Sequence, residues 1–179
     1  MTSPSRLLPL PLLLLFATTT AGARQPDTGA EIREELLRSY SRAANRLVRL
    51  AEAMPPERFA WRPAEGVRSF SEVLMHVAEG NYHFAKSLGV AGAEAPEPGT
   101  LEKITSRDEA IARLRESNDL ARRAIAGTDQ ANLGGEVEFF GMKQSKRALV
   151  LLVAEHAHEH VGQAIAYARM NGIAPPWSQ

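Results

Sequence analysis

The chain has 179 residues, of which 44% are hydrophobic and 23% charged, and its 21 basic side chains balance its 21 acidic ones. This composition is too apolar and too evenly charged for a disordered tail, and without a basic excess nothing indicates nucleic-acid binding. Because the chain has no Cys, disulfides, thiolate metal sites, a Cys nucleophile and a lipidated N-terminal Cys are all excluded. The length suits one domain with its own hydrophobic core.

The first 23 residues carry the pattern of an export signal. Arg6 is the only charged side chain before Arg24, an apolar run over 7–17 follows it, and residues 21–23 supply the small-x-small pattern of a cleavage site. The run is short for a membrane span, although an uncleaved anchor is the alternative. We therefore expect a cleaved signal peptide over 1–23, a linker over 24–30 and one domain over 31–179. The product would be periplasmic or extracellular and, after cleavage, free of the membrane.

Two helices are predicted in the first half of this domain. Apolar residues follow one another at intervals of three and four over 32–54, and Pro55-Pro56 ends that helix. The second helix begins after Ser69 and extends to about residue 88. Ser69 and Glu72 have the spacing of a capping box, in which each side chain binds the other residue's backbone N–H group.

Two further helices follow, over about 106–127 and 145–170. Ser106 repeats the capping spacing at the start of the third helix. Between these helices, residues 136–140 alternate weakly between apolar and polar, which indicates a short extended piece without a partner strand. Four amphipathic helices of this length bury their apolar stripes most simply against one another, so an all-α four-helix bundle is predicted.

The histidines lie on the second and fourth predicted helices: His76, His83, His156, His158 and His160. His156 and His160 are four residues apart in line with the apolar stripe, so both imidazoles should point into the bundle. A buried polar group without a partner costs about 1–3 kcal/mol, and a shared metal ion is the simplest partner for adjacent imidazoles. His158 lies about 200° around the helix from each neighbour and should face solvent or a loop.

A third nitrogen could come from either histidine of the second helix. His76 lies at the edge of that helix's apolar stripe, and His83, seven residues later, is the rival ligand or a supporting group. His-x-x-x-His also occurs without a metal, so spacing alone leaves a metal-free, packed arrangement open. Solvated helix faces are expected for the nearby carboxylates: Glu79, Glu155 and Glu159.

Several catalytic motifs are absent from the sequence. Residue 157 is Ala rather than the Glu that a zinc protease places between its two His ligands. The inward Glu-x-x-His pairs of di-iron bundles, a Gly-x-Ser-x-Gly elbow and a Gly-rich phosphate loop are also missing. No catalytic acid, base or nucleophile is therefore assigned.

Two stretches carry a more specific pattern. The first, over 61–78, contains Trp61-Arg62-Pro63, Arg68-Ser69-Phe70 and His76-Val77-Ala78. The second, over 156–176, contains the His-x-x-x-His pair, Gly162-Gln163, Tyr167-Ala168-Arg169, Gly172 and Pro175-Pro176. In these stretches and in its helix layout, over about residues 30–179, the chain resembles the DinB-like (DinB/YfiT) family of metal-dependent bundle proteins.

The resemblance implies an up-down-down-up bundle that binds one divalent metal ion through three histidines. Carried over by position, these ligands are His76, His156 and His160. Nickel, zinc, iron and manganese all suit imidazole-rich sites, so the metal identity stays open. Gly162, beside His160, would allow close helix packing, and Gln163 could bond a group that supports the ligands.

Three neutral His ligands leave a coordination position for water or substrate, which favours a metal-dependent hydrolase or transferase acting on an unidentified small molecule. Some family members resemble thiol S-transferases or isomerases, but small thiols are mainly cytosolic and an export signal disfavours that reading. A non-catalytic metal-binding or stress-associated bundle is the alternative. A dimerising module with metal-free, packed histidines is the third hypothesis, and the oligomeric state stays open, with a homodimer as one option.

Overall fold

The computed structural model of the protein describes residues 29–178, and the predicted signal peptide and cleavage site lie outside them. The described chain contains four long helices: α1 Gly29–Ala53, α2 Phe70–Ser87, α3 Arg107–Gly127 and α4 Lys146–Met170. A two-stranded hairpin precedes α4, with β1 at Glu136–Phe139 and β2 at Met142–Ser145. One-turn 3-10 helices lie in the connections, at Pro56–Arg58, Leu101–Lys103 and Gln130–Asn132. The predicted all-α four-helix bundle is confirmed.

Helix α1 packs against α3 and α4, and α2 packs against the same two helices from the other side of the bundle. The contacts between α1 and α3 define their directions. Arg33, near the start of α1, donates to the carbonyl of Thr128 just beyond α3, whereas Arg107, at the start of α3, donates to the carbonyl of Met54 just beyond α1. Helices α1 and α3 are therefore antiparallel.

Helices α2 and α3 run in the same direction. Ser71, in the first turn of α2, donates to the carbonyl of Ile104 just before α3, and Asn81 in the middle of α2 donates to Ser117 in the middle of α3. A parallel pair of consecutive helices needs a long return connection, and residues 88–106 provide it. This connection passes over one side of the bundle and carries the 3-10 turn that matters for the site below.

Helix α4 is parallel to α1. Ser39 lies within hydrogen-bonding distance of His158 on α4, and ten residues later Arg49 donates to the carbonyl of Pro176 beyond the end of α4. With α2 and α3 both opposite to α1, the bundle has the up-down-down-up topology. No helix within residues 29–178 has the length and apolar character needed to cross a membrane.

The capping box at the start of α2 forms as predicted. The Ser69 hydroxyl accepts from the backbone N–H of Glu72 at 3.2 Å, and the Glu72 carboxylate accepts from the backbone N–H of Ser69 at 2.6 Å. The same prediction for Ser106 is wrong, since its side chain makes no capping hydrogen bond. Instead, the neighbouring Arg107 guanidinium holds the start of α3 against α1 by donating to the carbonyl of Glu52 at 2.8 Å.

The extended piece predicted near residue 136 is half of a hairpin, so the expectation of an unpaired strand is wrong. Glu136 lies opposite Ser145 and Phe139 opposite Met142 in an antiparallel register. Phe140 and Gly141 form the two-residue turn, with φ angles of 48° and 76°. Positive φ at both positions is typical of the turns that match strand twist. Nothing in the mostly exposed second strand shows the apolar alternation that would have revealed it.

Candidate metal centre

The structure brings His76 on α2 together with His156 and His160 on α4. One ring nitrogen from each of the three lies within 4.8 Å of those of the other two, so the group could hold a metal ion. The Nε2 atoms of His76 and His156 are 3.3 Å apart. Two nitrogens bound to one ion at about 2.0–2.1 Å, with a tetrahedral angle between them, would be about 3.3–3.4 Å apart. The observed distance therefore matches that of two ligands of one ion.

Burial favours the neutral form of His76 and His156 by lowering the pKa of each. It lowers the pKa of His156 to about 3, with His160 and then His76 adding to the effect as neighbouring charges. Burial also lowers the pKa of His76, and the nearby Arg68 guanidinium lowers it further. His160 is only 7% exposed. A neutral imidazole offers a nitrogen lone pair to a metal, so His76 and His156 are in the ligating form at neutral pH.

The orientation of His160 is set by Gln163, one turn further along α4. The Gln163 side-chain oxygen lies 2.8 Å from His160 Nδ1, and its amide nitrogen donates to the hydroxyl of Tyr167 at 3.1 Å. Because an amide oxygen only accepts, Nδ1 of His160 carries the proton and Nε2 is left for a metal. The ring of Trp61 packs edge-on against Tyr167 at 5.5 Å between centroids. The two stretches that carry the family resemblance thus meet beside the site.

His76 is supported from the connection between α2 and α3. The Glu102 carboxylate, in the 3-10 turn Leu101–Lys103, lies 3.5 Å from His76 Nδ1. The same carboxylate oxygen accepts from Arg68 Nε at 2.8 Å. A carboxylate behind a ligating imidazole fixes which nitrogen carries the proton and raises the basicity of the other. Glu102 could not be identified from sequence patterns, because its approach to His76 depends on how a 19-residue connection folds back.

His156 lies directly against the backbone of α2 at Gly80. A Cβ atom at position 80 would lie 2.8 Å from Cε1 of His156 and 3.3 Å from its Nδ1, which is closer than real Cβ contacts allow. Glycine at this position therefore makes room for the imidazole. His156 Nδ1 is buried there without a hydrogen-bond partner. The role of Gly80 was not predicted, although an isolated glycine inside a helical pattern is a recognised indication of a close approach.

The donor set and its surroundings fit a divalent transition metal. The three side chains are imidazoles, which suit such ions, and the space beside Gly80 is shaped to one of the three rings.

The other two histidines lie apart from this cluster. His83, the rival third ligand, is not in the cluster and packs instead against Phe140 at the hairpin turn, with 4.8 Å between ring centroids. His158 is exposed, as predicted, and its Nε2 atom lies 3.0 Å from the Ser39 hydroxyl.

Two expectations about neighbouring residues are wrong. Gly162 is exposed, and a Cβ atom there would meet nothing within 4 Å, so it is not needed for close helix packing. Glu79 is not solvated: it is 7% exposed and accepts from the backbone N–H of Gly99 at 2.8 Å, because the connection between α2 and α3 covers it. Glu155 and Glu159 are exposed, as predicted.

An open cleft of about 590 Å³ lies beside the three histidines. Two of the residues that line it contact predicted ligands: Glu102 lies against His76, and Gln163 is hydrogen-bonded to His160. The lining residues are Arg62, Gly66, Val67, Arg68, Glu72, Glu102 and Gln163.

The family model of the DinB superfamily matches residues 39–164, which include every residue of the three-histidine cluster. This chain belongs to the DinB superfamily. Among curated proteins, the uncharacterized protein YjoA of Bacillus subtilis (strain 168) is 25% identical to it over 126 residues, which cover 69% of this chain and 80% of YjoA.

Three solved structures share the fold of this DinB superfamily chain. A DinB-like protein from Bacillus cereus ATCC 10987 has a TM-score of 0.67 and 17% identity, covering 80% of this chain and 95% of that one. YjoA has a TM-score of 0.61 and 21% identity, with coverages of 77% and 92%. YfiT from Bacillus subtilis, "a probable metal-dependent hydrolase with an unusual four-helix bundle topology", has a TM-score of 0.62 and 15% identity, with coverages of 85% and 94%.

Proposed function

We propose that this protein binds one divalent metal ion through His76, His156 and His160 and acts as a metal-dependent hydrolase or transferase on a small molecule. The observation that carries the proposal is the convergence of three ring nitrogens within 4.8 Å, two of them 3.3 Å apart. The likeness to YfiT, a probable metal-dependent hydrolase of the same fold, supports it.

A divalent ion held by three neutral imidazoles supplies a Lewis acid with at least one position left for water or substrate. The protein's own groups prepare that position. Gln163 keeps the proton of His160 on Nδ1, and Glu102 lies behind His76 on the side away from His156 Nε2. Because no carboxylate is among the ligands, the positive charge of the ion is not reduced by its protein ligands. The cleft beside Glu102 and Gln163 is large enough for a small organic molecule.

Elemental analysis of the purified protein tests this proposal. We expect about one metal ion per chain, and loss of that ion in His76→Ala, His156→Ala and His160→Ala. His158→Ala is the matched control, because it removes an exposed imidazole from the same helix and should retain the metal. A parent protein that binds no divalent metal would overturn the proposal.

The catalytic part needs a separate measurement. Purified protein, with and without added metal, is assayed on ester, amide and thiol-transfer substrates, and we expect turnover that requires the metal. Activity that survives in His160→Ala would remove the metal from the mechanism. Stoichiometric metal without turnover on any of these substrates would support the non-catalytic alternative.

We also propose that the chain is exported, on the strength of the pattern over residues 6–23. The N-terminal sequence of the protein recovered from an expressing bacterial host tests this directly. Cleavage after Ala23 leaves Arg24 as the first residue, whereas an intact N-terminus in the membrane fraction would identify an uncleaved anchor.

A further inference from the structure

We propose that the cleft beside the metal centre binds a small molecule through a carboxylate or phosphate group, and that Arg68 is the residue that anchors this oxyanion. The inference rests on the proposed function, since it places the rest of the bound molecule next to the three histidines. It names the chemical class of the substrate.

The two arginines of the cleft differ in what remains available to a ligand. Arg62 is committed within the protein, because one terminal nitrogen donates to the carbonyl of Val67 and the other to Glu72, both at 2.8 Å. Arg68 uses only Nε, which donates to Glu102 at 2.8 Å. Within residues 29–178, no protein acceptor is bound by its two terminal nitrogens. The two terminal nitrogens of a guanidinium form a fork, which can donate two parallel hydrogen bonds to the oxygens of a carboxylate or phosphate.

The Glu102 carboxylate fixes the position of that fork. It accepts from Arg68 Nε on one side and lies 3.5 Å from His76 Nδ1 on the other. One carboxylate and one imidazole ring therefore separate the Arg68 guanidinium from the nitrogens that would hold the metal. A bound molecule could therefore place its anionic group at Arg68 and its reacting group at the three histidines.

The charge of the site favours an anion. The cleft is lined by two arginines and two glutamates, so these side chains carry no net charge together. The three proposed ligands are imidazoles and add no negative charge. Even when the buried Glu79, which acts on His76, is counted as one negative charge, a divalent ion would leave the site with a net positive charge, in a concave surface that concentrates the field. An anionic substrate is drawn to such a site, whereas a cationic one is repelled.

Binding of small oxyanions to the zinc-loaded full chain tests the proposal. The probes are acetate, the dicarboxylates malonate, succinate and glutarate, and inorganic phosphate, each measured by titration calorimetry. If one carboxylate binds Arg68 while the other lies at the metal, at least one dicarboxylate should bind about 10-fold or more tightly than acetate. A preference for phosphate over all carboxylates would identify a phosphate-bearing substrate instead of a carboxylate-bearing one.

The Arg68 variants supply the decisive comparison. In Arg68→Met, the affinity for the preferred oxyanion should fall by about 10- to 100-fold, as expected when charge-assisted hydrogen bonds are lost. Arg68→Lys should recover part of the affinity, because it restores the charge but not the fork. Arg38→Met is the matched control, since it removes an exposed α1 arginine that pairs with Glu34, and it should leave the affinity unchanged.

Metal content is measured on every sample, which separates the two proposals. A zinc-loaded Arg68→Met protein that binds the oxyanions as tightly as the parent overturns the anchoring role while leaving the metal site intact. If the parent takes up none of zinc, nickel, iron and manganese, the proposed function fails, and the phosphate titration is carried out on the metal-free chain. Phosphate binding that depends on Arg68 in that chain would still support the anchor, and binding that does not would overturn it.

Discussion

The bundle buries two polar clusters that both use side chains of α2, and the two are satisfied in different ways. The first, the amide cluster, consists of Tyr40, Asn81, Ser117 and Asn118. The hydroxyl of Tyr40 donates to Asn118 Oδ1 at 3.0 Å, and the Asn81 amide donates to the same oxygen at 3.0 Å and to the Ser117 hydroxyl at 3.2 Å. Burial raises the pKa of Tyr40, so its hydroxyl remains a donor at all ordinary pH values.

The second cluster, formed by His76, His156 and His160, is paired less completely, because only one of two facing imidazole nitrogens can donate and His156 Nδ1 has no partner. In the amide cluster donors meet acceptors, and its two unpaired atoms, Asn81 Oδ1 and Asn118 Nδ2, are one acceptor and one donor. In the histidine cluster the Nε2 atoms of His76 and His156 are 3.3 Å apart, so either one ring donates to the other or both lone pairs face a bound cation. The two clusters therefore differ in the chemistry of the atoms that face each other, amide and hydroxyl groups in one and imidazole nitrogens in the other, and only the imidazole nitrogens are typical metal ligands.

Replacing Gly80 with Ala should have the largest effect of the predicted changes. This effect should be a loss of metal affinity at the histidine cluster. The new Cβ would collide with the ring of His156 and displace one of the three proposed ligands. We expect metal affinity to fall by more than about 100-fold, as loss of a ligand should exceed the 10- to 100-fold cost of losing a supporting residue. Competition with a chromophoric chelator measures this change.

Gly162→Ala is the matched control, because it makes the same substitution on α4 beside His160, where nothing lies within 4 Å of the new atom. It should leave metal affinity unchanged and raise the free energy of unfolding by about 0.4–1 kcal/mol, the usual gain for Gly to Ala in a helix. Equal metal affinity in both variants would show that the close approach of Gly80 does not hold His156 in a ligating position.

Removing the shared acceptor of the amide cluster should have the next largest effect. Asn118→Leu leaves the Tyr40 hydroxyl and the Asn81 amide without their common oxygen. At about 1–3 kcal/mol for each donor left unpaired, we expect the free energy of unfolding to fall by roughly 2–4 kcal/mol. Urea denaturation measures the loss. Metal content should stay at the parent level, and a variant that folds but no longer binds metal would mean that the clusters are coupled.

The support of His160 by Gln163 predicts a smaller effect. Gln163→Leu removes the acceptor of the His160 Nδ1 proton, and metal affinity should fall by about 10- to 100-fold. Gln163→Glu keeps an acceptor oxygen and should retain most of the affinity. If Leu and Glu weaken metal binding equally, the oxygen of residue 163 does not orient the imidazole.

The sequence predicts features that depend on neighbouring residues better than contacts between distant parts of the chain. The spacing of apolar residues along each helix and the capping box at Ser69 depend on neighbouring residues, so both could be predicted. The alignment of His156 with His160 follows from a spacing of four. Gly80 and Glu102 could not be assigned roles, because each depends on a partner from a distant part of the chain. The family resemblance supplied His76, whose position at a stripe edge left the choice against His83 open.

In the metal-free protein, acid should separate the two clusters by an effect that is the smallest per pH unit. The folded-state pKa of His156 is about 3, below its ordinary value of 6.5, so the unfolded chain binds more protons between these values. The free energy of unfolding should therefore fall as the pH is lowered from about 6.5, by up to about 1.4 kcal/mol per pH unit from this residue. The amide cluster contributes nothing here, since Tyr40 stays protonated. Chemical denaturation of His156→Gln from pH 7 to pH 4.5 should show a shallower dependence than that of the parent and of the exposed His158→Gln control. Identical slopes in all three proteins would mean that His156 is not buried in its neutral form.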